Sequence, residues 1–454
     1  MMNRYEQQNV VVLGLAKSGA AVAKLLHRFG AHVVVNDKKP REEAVGADEL
    51  EALGIPVITG HHPADLIHPG VSLVVKNPGI PYEAPPVAQA LKLGIPVITE
   101  VELAYQIARA PIIGITGSNG KTTTTTLVGL ILQQAAIPCE VGGNIGNVLC
   151  GIAEHAPADS WIVAELSSFQ LLGTQTFRPR IGVLLNVYPA HLDYHHTMEE
   201  YIAAKLKLFA NQTAEDYAIL PYDQPDVLVH CQHLRAKRYY FSKRQAVSPG
   251  AYVENGRILF ANEKGEREEI MQVADLSVPH LDNALAAVLA AKLAGAPTSA
   301  IVQVLSTFPG VEHRMEYVAT INGVKYYNDS KATNPEAASR ALDTFSEPVV
   351  WIAGGLDRGV DFRELVPVMA KRVKAIVAFG QTAQILLKRA EEAGISQRIL
   401  VDTVDKAVLA ASAAAEPGDV VLLSPACASW DMFPSFEVRG GMFKDGVHRL
   451  RTSL

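Results

Sequence analysis

The chain has 454 residues, 48% of them hydrophobic and 19% charged, with a formal net charge of -6 at neutral pH. That length suggests three domains at roughly 150 residues each, and the composition is that of an ordinary soluble globular protein without the basic footprint of a nucleic-acid binder. Cys139, Cys150, Cys231 and Cys427 have no paired spacing, so neither a zinc ribbon nor a disulfide framework is indicated.

The segment Met1 to Glu6 is polar, and no uninterrupted apolar run approaches roughly 18 residues. A cytoplasmic, untargeted protein with no membrane partner is the expectation. Short β-branched runs then alternate with helix-compatible stretches, at Val10 to Leu13, Val33 to Val35, Val57-Ile58, Leu73 to Val75 and Val97-Ile98. This alternation predicts a parallel sheet with crossover helices. The first run feeds Gly14-Leu15-Ala16-Lys17-Ser18-Gly19 and the second ends at Asp37, a layout like that of a dinucleotide-binding unit. The spacing is not G-x-G-x-x-G, so a purely structural turn stays open beside a nucleotide site.

The strongest motif follows the apolar Pro111-Ile112-Ile113: Gly114-Ile115-Thr116-Gly117-Ser118-Asn119-Gly120-Lys121-Thr122-Thr123. Glycines free backbone N–H groups to surround phosphates, Lys121 reaches the terminal ones, and the Thr122 hydroxyl can ligate magnesium. A nucleoside triphosphate and a metal are therefore predicted. The register departs from the common pattern, since Ile115 stands five before Gly120.

Further along, an apolar run closes in Glu165-Leu166-Ser167-Ser168-Phe169-Gln170, which puts a carboxylate where α/β sheets face ligands. Glu165 is a candidate magnesium ligand. A strand read as ending at Asn186-Val187 leads to His191-Leu192-Asp193-Tyr194-His195-His196, and Lys205 lies on a predicted helix. With no cysteine nearby, magnesium fits this cluster better than zinc, and a plain surface histidine cluster stays open. Arg235 to Glu269 reads as a hairpin-rich excursion, Asp282 to Leu293 as an alanine-rich helix. A third α/β block from about Val311 carries His313-Arg314, then Asn328-Asp329-Ser330-Lys331-Ala332-Thr333-Asn334. Arg314 and Lys331 could neutralise a transferring phosphoryl group and Asp329 could orient a ribose or cation, unless they are salt-bridged loop residues. After the run Val420 to Leu423, Ser424 to Phe433 offers hydroxyls and a helix N-terminus to an anion.

Together, Thr116 to Thr123, Gly143-Asn144-Ile145-Gly146, Glu165 to Gln170, His191 with Lys205, His313-Arg314, Asn328 to Asn334 and Ser424 to Asp431 resemble the Mur ligase family over nearly the whole chain. Ser424-Pro425-Ala426-Cys427-Ala428-Ser429, and the lack of an Asp-Asn-Pro-Arg-type motif, favour its D-glutamate-adding branch. The resemblance implies three α/β domains. These are a Rossmann-like substrate domain over 1–107, a central phosphate-loop ATP domain over 108–310 and a Rossmann-like amino-acid domain over 311–454. It also implies ATP-driven amide formation between the carboxylate of UDP-N-acetylmuramoyl-L-alanine and D-glutamate, through an acyl phosphate, in peptidoglycan synthesis by a monomer.

By the same resemblance Lys121 and Thr122 bind triphosphate and magnesium, Glu165 holds one magnesium, and His191 with a carbamylated Lys205 serves a second. Gly117, Ser118, Asn119, Gly120, Thr123, Asn283, Arg314 and Asp329 complete the nucleotide site. Lys17, Ser18, Asp37, Gly79, Asn144 and His191 fall where the uridine substrate is held, and Lys331, Thr333, Ser429 and Phe436 where D-glutamate is, with Arg358 in place of a Lys. The family's His-Asn-x-x-Asn is replaced by Pro279-His280-Leu281-Asp282-Asn283, so only Asn283 matches. Other readings are a folate polyglutamylating ligase, disfavoured by the separate N-terminal domain, an ATP-dependent switch, and a nicotinamide dehydrogenase.

Overall fold

A computed structural model describes residues 4–278 and 280–452, so Pro279 lies outside the described residues. The chain divides into two compact units, one ending at Phe308 and the other starting at Pro309.

The first unit holds two sheets. Strands β1 (Asn9–Leu13), β2 (His32–Asp37), β3 (Val57–Thr59), β4 (Leu73–Lys76) and β5 (Val97–Ile98) lie in the order β3-β2-β1-β4-β5 and are parallel throughout. The valine runs form strands because both faces of a parallel sheet are covered. Val10 and Val12 pack into one core cluster, Val11 and Leu13 into another. In this order the switch point falls between β1 and β4, which puts the turn after β1 and the end of β4 in the ligand-binding crevice.

The second sheet contains β6 (Ile112–Thr116), β7 (Cys139–Gly143), β8 (Trp161–Glu165), β9 (Ile181–Leu184), β10 (Tyr217–Pro221), β11 (Lys237–Ser242), β12 (Gly250–Glu254), β13 (Arg257–Ala261) and β14 (Arg267–Gln272). Its order is β14-β13-β12-β11-β10-β9-β6-β8-β7. The segment expected as a separate hairpin excursion continues this sheet, since β11 and β12 pair in parallel before β12-β13-β14 turn antiparallel. Strand β9 ends at Leu184 and not at Val187, because Asn186 leaves the sheet to bond the phosphate loop.

One hydrophobic cluster runs through both sheets. The helix Glu100–Ile107 between them carries two inward carboxylates. Glu102 accepts from the backbone N–H groups of Gln175, Thr176 and Phe177 at 2.8 to 3.0 Å. Glu100 accepts from the Cys150 N–H at 2.5 Å. Burial pushes the Glu100 carboxyl up to about 7, against the pull of its bonds from Cys150 and Leu149. A folded value above the unfolded one means that the folded state keeps a proton the unfolded chain releases. This carboxyl therefore lowers stability as pH rises from about 4.5 to about 7, with no further change above. Glu100→Gln keeps the acceptor and removes the titration, so thermal unfolding should show a gain of about 3 kcal/mol at pH 8 that vanishes near pH 4.5. An equal effect at both pH values would contradict it.

The second unit is a single sheet of β15 (Glu316–Ile321), β16 (Val324–Asn328), β17 (Val349–Gly354), β18 (Val373–Phe379), β19 (Gln397–Leu400) and β20 (Val420–Leu423). Its order is β15-β16-β20-β17-β18-β19, parallel apart from the β15-β16 hairpin. Val350 and Ile352 pack into one cluster, Val349 and Trp351 into the other, so this sheet too is covered on both faces. Among the described residues no helix is long and apolar enough to cross a membrane. All four cysteines are free, and all but the half-buried Cys139 are buried.

Candidate active site

The phosphate loop joins β6 to the helix Lys121–Gln134. Gly120 caps that helix at φ +83°, and a Cβ there would lie 2.2 Å from Asn283 Oδ1. Only glycine meets both demands, and the clash places Asn283 hard against the loop. The Asn119 N–H donates to Asn186 Oδ1 at 2.9 Å, and Ser118 Oγ lies 3.1 Å from the Tyr201 hydroxyl. Thr122 is buried in the first helical turn and Thr123 half-buried. Lys121 Nζ folds back on its own loop, donating to the Gly117 and Ser118 carbonyls at 2.8 and 3.0 Å.

Lys205 belongs to the helix Met198–Leu206, which is started by Thr197 accepting from the Glu200 N–H. It is not a surface lysine. Its side chain is buried, its Nζ donates to the same Gly117 carbonyl at 2.9 Å, and it sits 4.4 Å from the centroid of the Tyr201 ring. Burial, with the Lys121 charge adding to it, drives its pKa down to about 6. Burial thus favours the uncharged amine over the ammonium.

Glu165 closes β8 and is buried. The chain turns away immediately after it, because Ser167 and Gln170 form a reciprocal capping box for the helix Ser168–Leu172. Oε1 accepts from Asn144 Nδ2 at 2.9 Å, whereas Oε2 is buried with no hydrogen-bond partner. A buried carboxylate oxygen without a partner is costly unless a cation uses it. His191 stands at φ +56° with its ring 5.1 Å from that of Phe169. His195, by contrast, is buried, with Nε2 2.9 Å from Ser168 Oγ. Among the described residues no three His, Cys, Asp or Glu side chains form a metal-ligand cluster.

Where the uridine substrate was expected, Asp37 Oδ2 accepts from the Leu15 N–H at 2.6 Å and Oδ1 from the Lys39 N–H at 2.9 Å, so it braces the turn after β1. Gly14 has φ +94°, and a Cβ on Gly19 would lie 2.0 Å from the Gly14 carbonyl oxygen. These two glycines supply the tight turn and the close helix–strand approach of a nucleotide-binding unit without its usual spacing. Lys17 Nζ donates to the Gly146 carbonyl at 2.9 Å, Ser18 is half-buried, and Gly79 and Asn144 are exposed.

In the second unit Asp329 is buried, accepting from Ser424 Oγ at 2.8 Å and the Met315 N–H at 3.2 Å, and burial raises its carboxyl to about 6. Arg314 is exposed and Thr333 half-buried. Lys331 Nζ lies 5.8 Å from the Phe436 ring centroid, Ser429 is buried, and the Arg358 guanidinium lies 5.0 Å from the Trp430 ring centroid. No helix begins near Ser424 as expected; Ala426 is at φ +59° and the next helix starts at Phe436. Burial pushes the Cys427 thiol up to about 11, away from the reactive thiolate form.

Three family models match: Mur ligase MurD-like N-terminal domain over residues 8–99, Mur ligase middle domain over 115–291, and Mur ligase glutamate ligase domain over 313–427. The UDP-N-acetylmuramoylalanine–D-glutamate ligase of Geobacillus sp. strain WCH70 is 52% identical over 98% of this chain and 99% of its own. This chain belongs to the Mur ligase family. The D-glutamate ligase of Bacillus mycoides is 49% identical over 99% of both chains. Among solved structures, the Thermotoga maritima UDP-N-acetylmuramate–alanine ligase aligns with TM-score 0.56 at 18% identity, covering 99% of this chain and 100% of its own. That likeness bears on the fold alone.

In this Mur ligase three site features escape motif reading. Arg439, in the helix Phe436–Thr452, is fully buried and donates to Ser330 Oγ at 3.0 Å and to the Ser330 and Cys427 carbonyls at 2.8 and 3.1 Å. It thereby joins two segments predicted separately. Tyr201 and Asn186 anchor the phosphate loop, and only their places near His191 hinted at it.

Proposed function

We propose that the chain joins the carboxylate of UDP-N-acetylmuramoyl-L-alanine to the amine of D-glutamate, using ATP and releasing ADP and phosphate. The observation that carries this is the near-full-length 52% identity to a D-glutamate ligase. A carboxylate is a poor acyl donor at neutral pH. Transfer of the γ-phosphoryl group to it creates an acyl phosphate, whose phosphate leaves when the amine attacks, provided water is kept out.

Lys121 would turn from the loop carbonyls to the terminal phosphates and offset the charge that develops there. Gly117, Ser118, Asn119, Gly120 and Thr123 would cradle the phosphates, and Asn283, Arg314 and Asp329 would hold the nucleoside. Magnesium would be held by Thr122, Glu165, His191 and a carbamylated Lys205; the partnerless Glu165 Oε2 supports this. When bound, the ion would screen phosphate charge and polarise the transferring group. Carbamylation gives a buried lysine the anionic oxygens that such a ligand needs.

Lys17, Ser18, Asp37, Gly79, Asn144 and His191 would take the uridine substrate, and Lys331, Thr333, Ser429 and Phe436 the D-glutamate. Domains at 1–107, 108–310 and 311–454 suit this division of labour, in a cytoplasmic monomer. Phosphate release from ATP with the uridine substrate tests the reading. It should require D-glutamate, with L-glutamate and other amino acids inert. A different required acceptor would move the chain to another branch, and release without any acceptor would make it an ATPase.

A further inference from the structure

Lys76 ends β4 at the switch point of the first sheet, and its side chain is 1% exposed. Among the described residues it forms no ion pair with a carboxylate. A buried ammonium without a counter-ion is expensive, and an apolar residue of similar size would be cheaper. Its donors go to the Ile80 carbonyl at 2.8 Å, the Pro78 carbonyl at 3.2 Å and the Tyr194 hydroxyl at 3.5 Å, and it lies 4.5 Å from the Tyr82 ring centroid. Tyr194 Oη is 3.3 Å from each of the same two carbonyls. One cation and one phenol therefore tie a single tight loop from two sides.

Both ends of this knot matter. The loop Asn77–Ile80 leans on the turn after β1, where a Cβ on Gly14 would lie 2.9 Å from Asn77 Cβ. On the other side the Tyr194 ring packs edge-on to Phe169 at 4.6 Å, and Phe169 packs against His191 at 5.1 Å. His195, next to Tyr194, packs on Tyr201 at 5.1 Å, and Tyr201 reaches Ser118 of the phosphate loop. A continuous set of packed rings thus links the Asn77–Ile80 loop to the His191 segment and the phosphate loop.

We propose that Lys76 is a positioning residue that locks the Asn77–Ile80 loop to the segment carrying His191, so that seating of the uridine substrate and placement of His191 are coupled. This rests on the ligase reading above. Lys76 touches no substrate in this scheme; it acts through the two carbonyls and Tyr194.

The test uses the full chain with Lys76→Met, which keeps the stem and removes the donors. The KM for the uridine substrate should rise at least about tenfold and kcat fall by a similar factor, while the KM for D-glutamate stays within about twofold. Calorimetric binding of the uridine substrate without ATP should weaken in parallel. Tyr194→Phe, which keeps the ring, should shift the same constants less, and the double variant should be no worse than Lys76→Met. A Lys76→Met enzyme with a lowered melting temperature but unchanged constants would overturn the proposal, as would additive effects in the double variant. If Lys76→Met does not fold, Tyr194→Phe decides, and unchanged constants there would also overturn it. An inactive parent chain would refute the ligase reading instead.

Discussion

Lys205→Ala is expected to cut the ligation rate by about a hundredfold to a thousandfold, the usual loss when one preorganised charge stabiliser is removed. Carbamylation joins the amine nitrogen to the carbon of CO2 and releases a proton, so it requires the neutral amine. An ammonium has no lone pair to give. The burial of Lys205, with the Lys121 charge adding to it, favours the uncharged form. The parent incubated with 13C-bicarbonate should therefore show a carbamate carbon resonance that Lys205→Ala lacks. Lys205→Arg is the sharper control. It fills the same place with a permanently charged side chain that cannot form the carbamate, and it should be as inactive as the alanine variant. Activity close to the parent's in either variant would take Lys205 out of the site.

How much of this could be read from the sequence depends on the range of the interaction. The valine runs of β1 and the apolar runs of β8 and β20 were legible because the middle of a parallel strand buried on both faces must be apolar. The phosphate loop was legible for a related reason: its glycines and lysine act within a few residues of one another. Strand β19 was not, since Gln397–Leu400 is an edge strand with three of its four side chains exposed, and its sequence carries neither pattern. The boundary of β9 was missed because Leu185 and Val187 look like strand, while what ends it is the bond of Asn186 to Asn119, 67 residues away. Lys76 and Tyr194 are 118 residues apart, and Arg439 and Ser330 109. Each pair is ordinary in sequence and becomes meaningful only once the fold brings it together.

Lys121→Ala is expected to lower ATP turnover by about a thousandfold, since little else on the phosphate loop can offset the charge of a transferring phosphoryl group. It should also have a second effect. Lys121 and Lys205 donate to one carbonyl, and the Lys121 charge is among the causes that depress the Lys205 amine. Two ammonium groups in that place would repel one another, whereas an ammonium beside a carbamate would attract it. The modification would turn an ammonium beside an uncharged amine into an ammonium beside an anion, and Lys121 would help to hold it. In Lys121→Ala the 13C-carbamate signal should accordingly fall along with ATP turnover. Loss of turnover with an undiminished carbamate signal would confine Lys121 to the phosphates. Retained turnover would show that the cradle does not bind the triphosphate in the way its sequence suggests.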